Sequence, residues 1–349
     1  MHMEQKNRLG RVVSPGVVDY IERPDAALSA TQVRIAVKAS AICGSDLHIF
    51  KGMHPFCKLP ATVGHEFSGV VTEVGSSVSR WKIGDRVTVE PCITCGVCEE
   101  CRSGSYSYCE HITFLYRNGD GAMADHVVAE GDHVFALPDD LSFEAGALIE
   151  PLAVATHAVR RADIALGQSV VIIGAGAIGV LVAAMCRHSG ISRVAVVDTV
   201  DNRLDLARAF GASHTINAMR EDVEQRIREF GGSAGVDRTF ECVGRQETFV
   251  QAMMWLRKGG LATMVGIFEQ TEISIPVTRF VSHEIRVQGA QGYCWDFPIA
   301  LDVAKELDLE RLVTHTFPMD RLQEAFDTAL DRSKAPMKIL LVPGTKVDN

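Results

Sequence analysis

Positive charge is scarce in this chain. Its 349 residues carry 35 Lys and Arg against 44 Asp and Glu, a net charge of −9. A nucleic-acid binder is expected to present a basic face, and no basic cluster occurs even around the cysteine-rich stretch 95–109. Long apolar runs are also missing. The longest candidate, Val170 to Cys186, is broken by glycines, so nothing matches the ~18 uninterrupted apolar residues of a membrane span. Met1 to Arg8 is polar and lacks the basic-then-apolar pattern of a secretory leader. There is no internal repeat and no low-complexity linker. These absences predict a cytoplasmic protein with no membrane or nucleic-acid partner. Hydrophobic residues at 47% and charged residues at 23% describe a globular chain rather than a disordered one. Its length suffices for two domains.

Cysteine is abundant instead. Five of the ten cysteines, Cys92, Cys95, Cys98, Cys101 and Cys109, fall in one short stretch. Without a secretory leader, such clustering reads as metal ligation before disulfides. The last four have the spacing C-x2-C-x2-C-x7-C. Four thiolates around tetrahedral zinc form a closed, structural site. Free buried thiols, disulfides and an iron–sulfur cluster are the alternatives, and the short regular gaps disfavour independent burial. Cys92 is the spare thiol. A closed site has no open position, so this loop is not a catalyst.

The chain changes character near residue 150. Before it, short β-like runs such as Val33 to Lys38, Gly69 to Val74 and Arg86 to Val89 alternate with turn clusters. After it, strand and helix signals alternate with the spacing of βαβ units. Strands are predicted over Val170–Ile173, Arg193–Val197, Val236–Glu241, Leu261–Val265 and Ile285–Gly289. Helices are predicted over Ala177–His188, Arg203–Phe210 and Glu247–Leu256. Helices Phe297–Leu307 and Leu322–Leu330 and a strand Lys338–Val342 close the chain. The expected class is α/β, with a mostly β domain split or followed by a parallel-sheet domain.

The run Val170-Val-Ile-Ile-Gly174-Ala-Gly176-Ala-Ile178-Gly179 is G-x-G-x-x-G directly after a strand and opening a helix. Gly174 permits the tight turn, Gly176 lets backbone approach a pyrophosphate, and Gly179 allows close helix–strand packing. The helix N-terminus adds N–H donors and a positive dipole. Asp198 ends the next strand, 19 residues after Gly179, where a ribose-binding carboxylate belongs. It would accept from a 2′-OH and repel a 2′-phosphate, which favours NAD. Arg203 lies close enough in sequence to keep NADP open.

A second set of donors is scattered: Cys43-Gly44-Ser45-Asp46-Leu47-His48, then Gly64-His65-Glu66, then Glu150-Pro151. One thiolate, one imidazole and one or two carboxylates would leave room for water or substrate, as catalytic zinc requires. Each piece alone is unremarkable, and the set gains meaning from its position ahead of the nucleotide fingerprint.

Taken together, these segments, with Gly64-His-Glu-Phe-Ser-Gly69 and Gly84-Asp-Arg-Val87 in the same order, resemble the zinc-containing medium-chain dehydrogenase/reductase superfamily, the alcohol dehydrogenase family in its broad sense. Ala147-Leu-Ile-Glu150-Pro-Leu-Ala153 is similar to the sorbitol (polyol) dehydrogenase subgroup. The resemblance implies a GroES-like catalytic domain over residues 1–152 and 291–349, split by a Rossmann doubly wound parallel-sheet cofactor domain over 153–290. It implies two zinc ions per chain, one held by Cys43, His65 and a glutamate (Glu66 or Glu150) and one by the four-cysteine lobe. It also implies a homodimer or homotetramer, and a small-molecule alcohol as substrate.

The resemblance further implies that a hydroxyl activated at the metal gives hydride to the nicotinamide, and that its proton leaves through Ser45 and then His48. Asp46 is expected to orient His65 through its other ring nitrogen, or else to cap a helix. Phe56, Tyr116, Tyr293 and Trp295 are the expected substrate-pocket residues, with packing as the alternative for each. Gln291-Gly292-Tyr293-Cys294 departs from the Phe-Arg-Tyr-Cys of sorbitol dehydrogenases: Gly292 offers no guanidinium to polyol hydroxyls. The expected substrate is therefore a polyol, sugar acid, sugar phosphate or cyclitol, with threonine or 2,3-butanediol as the alternative. A catalytically inactive cofactor-binding relic is the non-enzyme alternative.

Overall fold

A computed structural model describes residues 6–115 and 121–344. The chain divides into two units, one of residues 1–150 with 300–349 and the other of residues 151–299.

The first unit is built around the strand Gln32–Ala41. Val33, Ile35, Val37, Ala39 and Ala41 alternate onto one buried face, the period-2 pattern of a half-buried strand. This strand pairs antiparallel with Glu66–Val74 on one side, and with Lys338–Val342 and His126–Glu130 along different halves of the other. Arg86–Val89 and Val134–Ala136 extend the sheet beyond Glu66–Val74, while Val313–Pro318 lies parallel to the last strand. A smaller sheet joins Lys6–Ser14 to Val17–Pro24 and Ala61–Thr62. Phe67, Val71, Val87, Val127, Ile339 and Leu341 are among the core residues. The register puts three strand ends together, with Ala41 opposite both Glu66 and Leu340.

The second unit holds a six-stranded parallel sheet. Numbered along this unit, its strands lie in the order 3-2-1-4-5-6: His214–Asn217, Arg193–Asp198, Ser169–Ile173, Val236–Glu241, Leu256–Met264, Arg286–Gly289. This is the doubly wound dinucleotide-binding arrangement. All five residues of Ser169–Ile173 are buried, as a central strand covered on both faces requires.

Several expected bounds shift, among them the end of the helix expected over Glu247–Leu256, which stops at Met254, and of that over Phe297–Leu307, which stops at Ala304. The strand expected from Leu261 starts at Leu256. Leu256 pairs with Val236 and Leu261 with Arg238, so the ladder bulges between them. Lys258 and Gly259 stand exposed in that bulge and interrupt the apolar pattern. The second unit runs to Ile299 and the first resumes at Ala300. Asp296, fully buried, binds Arg160, His157 and the Cys294 N–H at 2.6, 2.9 and 2.7 Å and so ties residues 294–296 to the helix Ile149–Arg161.

Candidate active site and metal centres

The cysteine lobe gathers Cys95, Cys98, Cys101 and Cys109 with all four Sγ atoms within 4.8 Å of one another. Cys98 caps the short helix Glu99–Arg102, and Cys109 follows the turn Tyr106–Tyr108. Cys95 Sγ stands 3.6 Å from Cys109 Sγ and 4.0 Å from Cys101 Sγ. A tetrahedron of Zn–S bonds near 2.3 Å separates its sulfurs by about 3.8 Å, so the spacing fits. N–H groups of Val97 and Cys98 lower the Cys95 thiol to about 6, while burial and the neighbouring sulfurs raise that of Cys98. Cys92 is buried in the strand pair Cys92–Ile93 with Thr113–Phe114, outside the four.

The second cluster brings donor atoms of Cys43, His65 and Glu66 within 4.8 Å of one another. Asp46 positions two of the three. Its Oδ2 accepts from the Cys43 N–H and its Oδ1 from the Gly64 N–H, both at 2.9 Å. One buried carboxylate thus pins the start of the helix Gly44–Phe50 to the residue before His65. The ring Nδ1 of His65 lies 3.8 Å from Asp46, too long for a hydrogen bond. Asp46 therefore holds these segments through backbone amides, as a helix cap, and reaches the imidazole by its charge alone. Glu66 opens its strand and is 1% exposed. Glu150 is buried and adds its charge to the field at His65.

That field is strongly negative. Burial disfavours a charged His65, yet Cys43, Asp46 and Glu150 outweigh it and raise the imidazole well above its ordinary value. A cysteine, a histidine and carboxylates gathered in one place make a donor set suited to zinc.

Ser45, also buried, and His48, half-buried, stand three residues apart on the helix Gly44–Phe50, so their side chains share a face.

In the second unit, Gly174 takes φ +97°, and a Cβ on Gly179 would sit 1.8 Å from the Gly174 carbonyl oxygen. Around Gly176 there is open space for a close approach. Asp198 accepts from the N–H groups of Ala175, Thr199 and Val200 at 2.6, 2.7 and 2.9 Å. The carboxylate thereby holds the glycine loop, and with about four acceptor sites it keeps capacity for a ribose hydroxyl. Ile178 lies in the first turn of the helix Ala177–His188, and Arg203 in the helix Asp201–Ala209 after the Asp198 turn.

Residues 29–139 match the alcohol dehydrogenase GroES-like domain, and residues 177–325 match zinc-binding dehydrogenase. Sorbitol dehydrogenase of Bacillus subtilis (strain 168) is 33% identical over 332 residues, 93% of this chain and 94% of that protein. L-idonate 5-dehydrogenase of Vitis vinifera is 36% identical, covering 87% of this chain and 86% of its own. L-threonine 3-dehydrogenase of Anaeromyxobacter dehalogenans (strain 2CP-C) is 35% identical, covering 91% and 93%.

The chain belongs to the zinc-containing medium-chain dehydrogenase/reductase superfamily. It falls with the polyol subgroup and is an oxidoreductase using zinc and a nicotinamide dinucleotide. Both the GroES-like β unit and the Rossmann sheet are those of this superfamily.

Of the expected substrate residues in this dehydrogenase, Phe56 is 67% exposed and packs edge-on to His54. Trp295 is 60% exposed and held at φ +64°. Tyr293 is buried edge-on against Phe297, with ring centroids 5.0 Å apart. Tyr116 lies outside the described residues. Among these residues no helix is long and apolar enough to cross a membrane.

Lys338 was not anticipated. It is 4% exposed, beside Glu66. Burial disfavours its charge, but Glu66, Cys43 and Glu150 outweigh that and raise it. Its only signal in the sequence is a lysine opening an otherwise apolar strand, Lys338–Val342.

Proposed function

We propose that this dehydrogenase oxidises a secondary alcohol of a polyol, sugar acid, sugar phosphate or cyclitol, with NAD as acceptor. The observation that carries the reading is the convergence of Cys43, His65 and Glu66, with Glu150 buried nearby, in a chain whose nucleotide fold ends its second strand at Asp198.

When bound, zinc lowers the pKa of an alcohol hydroxyl and the nicotinamide accepts hydride. Cys43 and His65 would hold the metal together with a glutamate, and Asp46 keeps both segments in place. Ser45 accepts the substrate proton and His48 passes it to solvent, a role their shared helix face supports. Asp198 takes the ribose hydroxyls of NAD. A homodimer or homotetramer is the expected assembly, by analogy with relatives.

Gly292 supports a substrate other than sorbitol, since it offers no side chain to polyol hydroxyls. Threonine or 2,3-butanediol is the second reading. It is favoured by the 35% identity to an L-threonine 3-dehydrogenase and opposed by Glu150 where such enzymes commonly carry aspartate. NAD reduction measured across polyols, aldonates, sugar phosphates, cyclitols, threonine and 2,3-butanediol separates the two. Turnover confined to threonine or butanediol would refute the first.

A further inference from the structure

Glu241 is a buried carboxylate that the chemistry above leaves unused. It ends the fourth strand of the parallel sheet, Val236–Glu241, and is 0% exposed. Its Oε1 accepts from the Val243 and Gly244 N–H groups at 2.9 and 2.8 Å and from the Thr248 hydroxyl at 2.8 Å. This is the acceptor-only pattern of a charged carboxylate. None of the three donors is a cation, and Oε2 has no hydrogen-bond partner among the described residues. Burying a charge without a counter-charge is costly, so the fold keeps a negative charge here without answering it.

Its place gives that charge a target. Glu241 pairs in register with Ile173, the last residue of the first strand. The strand order reverses between these two strands, and a dinucleotide crosses the crevice outside their carboxyl ends. With Asp198 on the second strand taking the adenosine ribose, the nicotinamide half belongs to strands four to six. The turn after Glu241 lies against the glycine fingerprint: a Cβ on Gly174 would meet Val243 Cγ2 at 2.7 Å. On the other flank, a Cβ on Gly266 would meet Glu241 Oε2 at 2.7 Å and the Gly244 nitrogen at 2.3 Å. Neighbouring turns thus enclose the carboxylate in a low-dielectric place, where its field carries.

We propose that Glu241 sets the redox preference of the cofactor site: its unanswered negative charge favours the oxidised nicotinamide, whose ring is cationic, over the reduced ring, which is neutral. The cation that the protein withholds comes with NAD⁺. The oxidised cofactor is held and the reduced one let go, as turnover toward alcohol oxidation requires. This inference rests on the NAD reading above.

Dissociation constants of NAD⁺ and NADH, measured by calorimetry on the zinc-loaded protein, test this without reference to turnover. E241Q keeps an oxygen for the three donors and removes the charge. It should weaken NAD⁺ by about tenfold, the scale of one unit charge acting on another through a protein interior, and leave NADH within about threefold of wild type. The ratio of the two constants is the readout, because damage to the turn would weaken both nucleotides alike. A ratio that moves by less than about threefold, or in favour of NAD⁺, would overturn the proposal. If E241Q does not fold, T248K decides. It leaves Glu241 on its two amides, sets an ammonium beside the carboxylate, and should shift the ratio the same way. NADP⁺ and NADPH are titrated in parallel. A wild type that prefers that pair removes the NAD assignment alone, and the effect of E241Q on the ratio for that pair still decides the role of Glu241. A wild type that binds neither pair removes both.

Discussion

Asp198 has a visible role in the fold and a proposed one toward the cofactor. Its carboxylate accepts three backbone N–H groups, one of them from the glycine loop, and its charge opposes a 2′-phosphate. Asp198→Ala should raise KM for NAD by about tenfold or more, the scale of a hydrogen bond to a charged group, while discriminating less against NADP. Steady-state kinetics with both cofactors checks this; an unchanged NAD/NADP ratio would remove Asp198 from cofactor selection. His133 offers a separate test at the same scale. Burial lowers its pKa below the ordinary 6.5, against the opposing charges of Asp132 and Glu130. The native state therefore keeps this ring neutral while the unfolded chain protonates it. Its contribution is intact above pH 6.5 and is lost as pH falls toward the depressed native value. Thermal melts of H133Q between pH 7.5 and the acid limit of folding should show a shallower decline below pH 6.5 than wild type. The residue scale is also where sequence reading fell short. Asp46 was expected at the His65 ring or else as a helix cap, and its oxygens bond the Cys43 and Gly64 amides, the second of the two. The spacing placed it close to both without revealing which donor it would choose.

At the scale of elements, local pattern carried most of the information. The Ala177–His188 helix and the strands Val236–Glu241 and Lys338–Val342 have the predicted bounds, the helix and the last strand because each has an apolar run or face bounded by turn residues. The strand Leu256–Met264 did not, because its bulge is exposed and its pairing is set by a neighbouring strand. The helix–strand junction at the fingerprint makes the sharpest prediction. A Cβ on Gly179 would meet the Gly174 carbonyl oxygen at 1.8 Å. Gly179→Ala should cost roughly 3 kcal/mol, the upper end of ordinary overpacking, and weaken NAD binding with it. Denaturant unfolding and cofactor titration measure the two effects. A variant as stable as wild type would mean that the helix can slide away from the loop.

For the whole molecule, the two metal clusters differ in construction, and that difference is measurable. The lobe is closed by four thiols, while the Cys43, His65 and Glu66 cluster mixes donor types. Metal analysis should give two zincs per chain. Partial chelation that removes the mixed-donor zinc should abolish turnover with little change in Tm, whereas loss of the lobe zinc should lower Tm by several degrees, as structural zinc contributes folding energy. A single zinc that supports full turnover would contradict this division. Sequence alone determined the parts whose ligands or glycines sit close together in the chain: the four-cysteine lobe and the G-x-G-x-x-G turn, where local spacing fixes local geometry. It also determined the α/β class, since burial periodicity is a local property. Only the tertiary structure decided what long-range pairing brings together. Glu66 and Lys338 meet because two strands register on the same residue, Ala41, and a buried carboxylate compels a buried lysine to answer it. No spacing rule spans the 272 positions between them.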